Sequence, residues 1–260
     1  MNERPSAVII DHDLDAQTVL EVVLEHAGFR HHSTETAAGG ILTVAELNPL
    51  ITIINLAAPG VERLDAVRRI RSTSDTYIVL LTECADEAEV IRGFDAGADE
   101  VLCTPFRPRE LRARIEALLR RTRGLAPMSV PYLTSYNTDD EPVWLEHRGL
   151  RLSPAQRRVE CGGGEIDLTR SEFDLLYALM RSGKRVCLKD ELAKRLHNDV
   201  SPSNYVSVHD KRSIEVHMAN LRKKIGESPS APRWIETVRG VGYRLTGQAV
   251  SSEVDWAQSA

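Results

Sequence analysis

Three apolar runs in the first half of the chain each stop at residues able to do chemistry. Ala7–Ile10 ends at Asp11-His12-Asp13, Leu50–Ile54 ends at Asn55, and Tyr77–Leu81 ends at Thr82, while Glu100–Cys103 runs into Thr104. Carboxylates set close together can hold a hard divalent cation through oxygen, and a hydroxyl can donate to an anion nearby. The second half carries a different set. Lys211, Arg212, Arg222 and Lys223 lie in a basic helical stretch with Val216 and Asn220, and Thr237, Arg239 and Tyr243 follow on a short hairpin. Cations suit phosphates, an amide can pair bidentately with adenine, and a branched methyl group can pack on thymine.

The elements that must position these residues follow from periodicity. In the first half, short strands near residues 7–10, 29–32, 50–54, 77–81 and 100–103 alternate with helical patterns over 14–26, 37–47 and 108–123. That alternation predicts an α/β doubly wound, five-stranded parallel sheet, whose ligands bind at the carboxyl ends of the strands. The residues named above sit at those ends. In the second half, short alternating strands over 144–146, 150–153, 157–161 and 165–168 precede a capping box, Thr169-Arg170-Ser171-Glu172, that starts a helix through Met180. A second helix is predicted over Lys189–Leu196. In the third, Ile214, Met218, Leu221 and Ile225 share one face, leaving Val216, Ala219, Asn220 and Lys223 outward and Arg222 at the edge. Gly226 ends this helix. Trp234–Val238 and Tyr243–Leu245 flank the turn Arg239-Gly240-Val241-Gly242 as a β-hairpin. This half therefore reads as an α+β domain.

Length and charge bound the rest. At 260 residues the chain accommodates two cored domains, with 42% hydrophobic and 27% charged residues in the range of soluble globular proteins. No stretch approaches the ~20 apolar residues of a membrane span, so no membrane partner is expected. Cys84, Cys103, Cys161 and Cys187 form no CxxC pair and suggest no disulfide framework. A cytoplasmic protein fits. The net charge of −5 conceals an acidic first half and a basic second half, and all six lysines lie at or beyond Lys184. Only the second half is suited to bind phosphates.

The segment Lys211–Leu245, KRSIEVHMANLRKKI followed by IETVRGVGYRL, resembles the C-terminal domain of OmpR/PhoB-type response regulators. The resemblance implies a winged helix-turn-helix: a helix entering the major groove of double-stranded DNA, and a wing reaching the adjacent minor groove. Asn220 and Val216 then read bases. Arg212, Arg222 and Lys223 hold phosphates, with Lys211 beside them, Arg239 enters the minor groove, and Thr237 and Tyr243 touch the backbone. In the family the preceding loop, here 197–210, contacts RNA polymerase; it is longer and more polar than usual.

The first half resembles a receiver domain through NLAAPG (55–60), LLTE (80–83) and GADEVLCTPFRPRELRARIEALLRR (97–121). In that family an aspartate ending the third strand accepts a phosphoryl group, acids ending the first strand hold Mg²⁺, and a lysine precedes the Pro-Phe of the fifth. Here those positions hold Asn55, His12 and Thr104, and the aromatic switch position holds Val101. An amide has no anionic oxygen to attack phosphorus, and imidazole suits softer metals than Mg²⁺. Asp11, Asp13 and Thr82 alone remain, so the pocket reads as phosphorylation-deficient, with no catalytic residue, no metal and no cofactor, and the chain as no enzyme. A transition-metal site at Asp11-His12-Asp13 competes with plain loop residues, because adjacent strand-end side chains alternate direction. Deamidation of Asn55 would leave His12 and Thr104 wrong. Cys84 as a redox thiol is disfavoured, because Glu83 and Asp86 flank it and nothing basic does. The resemblance further implies a homodimer through reciprocal ion pairs, Asp99 with Arg121 and Glu100 with Arg114.

The predicted domains are a receiver-like unit (1–123), a linker (124–140), a winged-helix unit (141–246) and a disordered tail (247–260). The predicted function is sequence-specific transcription regulation independent of aspartate phosphorylation, with the dimer on repeated half-sites. Two readings compete with it: a residual phospho-switch through another acceptor, and a receiver-like domain that senses a small ligand or protein partner.

Overall fold

The structure is a computed structural model that describes residues 4–55, 61–83, 87–124, 144–197, 206 and 208–247. All but the first residue of the predicted linker, and all but the first of the predicted tail, lie outside the described residues, as do Cys84 and most of the 197–210 loop.

In the first half, β1 (Ser6–Asp11), β2 (Arg30–Thr34), β3 (Ile51–Asn55), β4 (Tyr77–Thr82) and β5 (Glu100–Cys103) form a parallel sheet in the order β2-β1-β3-β4-β5. The central strands are apolar on both faces because both are covered, as parallel sheets require. Helices α1 (Leu14–His26) and α5 (Pro108–Gly124) cover one face, where Leu20, Leu24, Leu111 and Ile115 meet Ile9, Ile53 and Val79. Helices α2 (Ala37–Leu47), α3 (Val61–Arg71) and α4 (Glu87–Asp95) cover the other, where Val44, Val67 and Phe94 meet Ile10, Ile54 and Leu80. The register sets Asp11 opposite Asn55 and Thr82 opposite Cys103, so the polar residues that end the strands gather at one edge.

The second half begins with an antiparallel sheet of β6 (Leu145–His147), β7 (Leu150–Ser153), β8 (Arg158–Cys161) and β9 (Gly164–Glu165). The last strand is shorter than the 165–168 run predicted. Thr169 caps α6 (Arg170–Ser182) through the predicted reciprocal box with Glu172. Next come β10 (Cys187–Leu188), α7 (Lys189–His197) and α8 (Val208–Ile225), then the hairpin β11 (Ile235–Val238) and β12 (Gly242–Leu245). Helix α8 starts four residues before Arg212, so part of the expected loop is helix. Strand β10 pairs with β12, and a Cβ on Gly242 would lie 1.9 Å from the Cys187 carbonyl oxygen, so only glycine fits this crossing. Phe173, Leu176, Leu192, Ile214, Met218, Leu221, Trp234 and Leu245 make one core beneath the three helices.

The two halves touch. Val216 of α8 is 8% exposed and belongs to the apolar cluster of α4 and β5 rather than to the core of its own half.

Candidate nucleic-acid interface and strand-end pocket

The strand-end pocket is closed by its own side chains. Asn55 Nδ2 donates to Asp11 Oδ2 at 2.7 Å, so the third-strand residue meets the first-strand carboxylate directly. Asp11 is fully buried; desolvation raises its pKa, against hydrogen bonds from the Asp13 backbone N–H and from Asn55. Asp13, at the cation-ligand position, is the N-cap of α1 and accepts from the Asp15 and Ala16 amides. His12 points to solvent, with Nδ1 3.7 Å from Asp11. The Thr82 hydroxyl donates at 2.5 Å to Glu89 on α4, which also accepts from Arg63 Nη2 at 2.8 Å. The Thr104 amide donates to the Thr82 carbonyl at 2.6 Å. Asp11, Asp13, Asn55 and Thr82 are thus each engaged with another side chain or with backbone. No cluster of His, Cys, Asp and Glu suited to a metal occurs among the described residues. One expectation is corrected here: Cys103 is disulfide-bonded, whereas Cys161 and Cys187 are free.

Helix α8 lies with one face against its own core and the adjacent face against the first half. Val216 packs into the α4–β5 cluster, Asn220 Nδ2 reaches the Phe94 carbonyl at 3.4 Å, and Arg212 Nε lies 2.9 Å from Glu87. His217 Nε2 meets the Asp99 carbonyl at 3.0 Å, and its ring meets Phe94 edge-on. Asp99 itself joins both halves. Its Oδ1 accepts from the Ser171 amide at 2.9 Å, and its Oδ2 accepts from Arg71 at 2.5 Å and from the Ile78 amide at 3.1 Å. Burial pushes the Asp99 carboxyl up, but Arg71 and the two amides outweigh it and hold the group below the usual carboxylate range. Charge complementarity frames the contact: Arg170 pairs with Asp75, and Arg114 with Asp210, each at 3.2 Å.

Residues 7–116 match the family model "Response regulator receiver domain", and residues 163–245 match "Transcriptional regulatory protein, C terminal". The DNA-binding response regulator MtrA of Mycobacterium tuberculosis strain H37Rv is 32% identical over 93% of this chain and 96% of its own length. The transcriptional regulatory protein ResD of Bacillus subtilis is 31% identical over 92% and 94%. The chain is an OmpR/PhoB-type response regulator. A solved cysteine-to-serine mutant of RitR overlays this response regulator with a TM-score of 0.69 at 21% identity, covering 93% of this chain and 99% of that one, a likeness of fold. The C-terminal half is thus a winged-helix DNA-binding domain, and no helix of the described residues is long and apolar enough to cross a membrane.

Within the response regulator the predicted DNA-binding residues divide into three groups. Lys223, Thr237 and Arg239 are exposed, and Lys211 is partly exposed in an ion pair with Asp190. Arg212, Val216 and Asn220 face the receiver domain, so the outward face predicted for α8 is partly covered. Arg222 and Tyr243 require correction. Arg222 is 6% exposed; its Nη2 donates to the Ile235 carbonyl and the Thr237 hydroxyl at 2.8 and 2.9 Å, and its Nε lies 3.5 Å from buried Glu227. It fastens the wing to the helix instead of waiting for phosphate. Tyr243 is 5% exposed in the core, with Arg222 over its ring. The predicted dimer pairs change as well. Asp99 and Glu100 are buried, Asp99 is held by Arg71, and Glu100 pairs with Arg114 inside the same chain at 3.2 Å. In this arrangement they are not surface charges open to a second copy. The Arg121 side chain lies outside the described residues. Arg63, Arg71, Glu89 and Glu227 were missed by sequence reasoning; Arg63 with Glu89 and Arg71 with Asp99 join residues 26 and 28 apart, and Glu227 serves a turn whose closure no local pattern marks.

Proposed function

We propose that this response regulator binds operator DNA and controls transcription without aspartyl phosphorylation. The observation that carries the proposal is the bond from Asn55 to Asp11. It joins the two positions that a Mg²⁺ ion and a phosphoryl group would bridge, and it puts an amide where a nucleophilic carboxylate is needed. Asp13 as helix cap and Thr82 bonded to Glu89 support the same reading. We attribute base reading to Asn220 and Val216, phosphate contacts to Lys211, Arg212 and Lys223, and the minor-groove contact to Arg239. The protein acts in the cytoplasm, where its DNA lies, as a regulator with no catalytic activity and no cofactor. A homodimer on half-sites one helical turn apart and a contact with RNA polymerase complete the proposal. Dimerisation through the ion pairs of Asp99 and Glu100 requires those residues to leave their present partners, α8 among them, first.

Selection of genomic fragments by the purified full-length protein, at stated salt and without phosphodonor, tests the proposal. Enrichment of a repeated motif is the expected result. Enrichment only after treatment with a small phosphodonor and Mg²⁺ contradicts it.

A further inference from the structure

Of the ionisable side chains by which α8 reaches the receiver domain, Asp210 and Arg212 are paired with Arg114 and Glu87, and the third, His217, is an imidazole. His217 is 2% exposed, its Nε2 donates to the Asp99 carbonyl at 3.0 Å, and its ring stands 4.8 Å from that of Phe94 between centroids. The carboxylates around it are already engaged. On the receiver side, Asp99 takes Arg71 and the Ser171 and Ile78 amides, and Glu100 pairs with Arg114. On the DNA-binding side, Glu172 of α6 accepts from Lys224 at 2.7 Å and from the Thr169 amide at 2.8 Å. A proton on the imidazole would add a buried cation where opposite charges are already matched. Neutral His217 fits this junction; imidazolium does not.

We propose that His217 is a proton-operated latch: the neutral ring holds α8 on the receiver domain, and protonation releases the helix for DNA. Burial lowers the pKa of His217 in the closed arrangement, and the carboxylates of Asp99, Glu172 and Glu100 offset this only in part. In an open form the ring is in water and titrates near its ordinary value of about 6.5. The closed form therefore binds a proton less readily than the open form. Its advantage is complete above about pH 6.5 and declines as the pH falls toward the lower closed-state value. The inference rests on the reading of α8 as the DNA-reading helix.

The test measures affinity of the full-length protein for its selected duplex at pH 7.5 and pH 5.5 and constant salt, for wild type and His217→Gln. Glutamine keeps a donor for the Asp99 carbonyl but does not titrate in this range. Wild type should tighten by up to about tenfold at the lower pH, the ceiling set by an imidazole of ordinary pKa about 6.5 in the open form that stays neutral in the closed form. The variant should change less than twofold. An equal gain in both proteins, or none in wild type, overturns the latch. Hydrogen exchange on wild type alone keeps the proposal decidable if the variant misfolds. The Ser171 amide, which donates to Asp99 across the junction, should lose protection at pH 5.5 relative to the sheet amide of Ile53, after correction for intrinsic rates. Retained protection overturns the latch. If no duplex binds at either pH, the DNA-reading assignment of α8 fails instead, and the exchange experiment still judges the latch.

Discussion

The ends of the receiver strands and the face made by α4 and β5 lie in the same domain and engage their polar groups in different ways. At the strand ends, polar groups have turned on one another: Asn55 to Asp11, Thr82 to Glu89, and Asp13 to the start of α1. At the α4–β5 face, polar groups have turned outward to the other half of the chain, Asp99 to Ser171 and His217, and Phe94 to Asn220. The first region has little left to offer a ligand. The second has a partner already in place, and that partner is the helix to which we attribute base reading. A domain can lose a chemical step and keep a regulatory surface, because the step needs particular atoms at one point whereas the surface needs only complementary packing and charge.

The largest effect predicted to sharpen this contrast lies outside both regions, in the wing they serve. Glu227 accepts from the Arg233 and Ile235 amides at 2.7 and 3.0 Å and faces buried Arg222. Glu227→Ala leaves an uncompensated guanidinium, and thermal unfolding should show a loss of about 3–5 kcal/mol. In the strand-end pocket, Asn55→Asp places a second carboxylate against Asp11. Urea unfolding at pH 7 should show a loss of about 1–3 kcal/mol from the repulsion. Because the repulsion raises the carboxyl pKa values, stability falls as pH rises above the ordinary carboxylate range and returns as pH is lowered into it. A stabilised variant would mean that the pocket is not closed in the way described.

On the DNA-reading helix, Asn220→Ala should cost about 1–3 kcal/mol at one base position, seen by comparing matched and singly mismatched duplexes. Arg170→Asp opposes Asp75 across the junction without touching α8, and should raise DNA affinity by about threefold to tenfold, the worth of a weak ion pair and its reversal. The smallest effect belongs to exposed Lys223. Lys223→Ala should weaken all sequences alike and reduce the salt slope by about 1.

What could be read from the sequence was local or periodic. The five strands and their order of appearance, the capping box at Thr169, and the helical face of Ile214, Met218, Leu221 and Ile225 all rest on spacing within a few residues. The unsuitability of Asn55 for phosphoryl chemistry followed from its functional group alone. The rest depended on where distant segments meet. Asp99 and Ser171 are 72 residues apart and Asp99 and His217 are 118 apart, with the predicted linker between, so nothing near Asp99 marks it as a joint. Asp99 and Glu100 were therefore read as surface charges awaiting a second copy. Arg222 failed for a related reason: it stands in a run of three cations that looks like a phosphate clamp, yet its side chain folds back to a wing formed 13 residues later.

A receiver domain closed in this way carries no aspartyl phosphate, under the function proposed here. Intact mass of the full-length protein after incubation with a small phosphodonor and Mg²⁺ tests it most directly. An unchanged mass is predicted, for wild type and for Asn55→Asp alike, since His12 and Thr104 still stand where a cation ligand and a lysine are needed. A gain of one phosphoryl group on the wild-type protein that hydroxylamine removes, as it does an acyl phosphate, would contradict it.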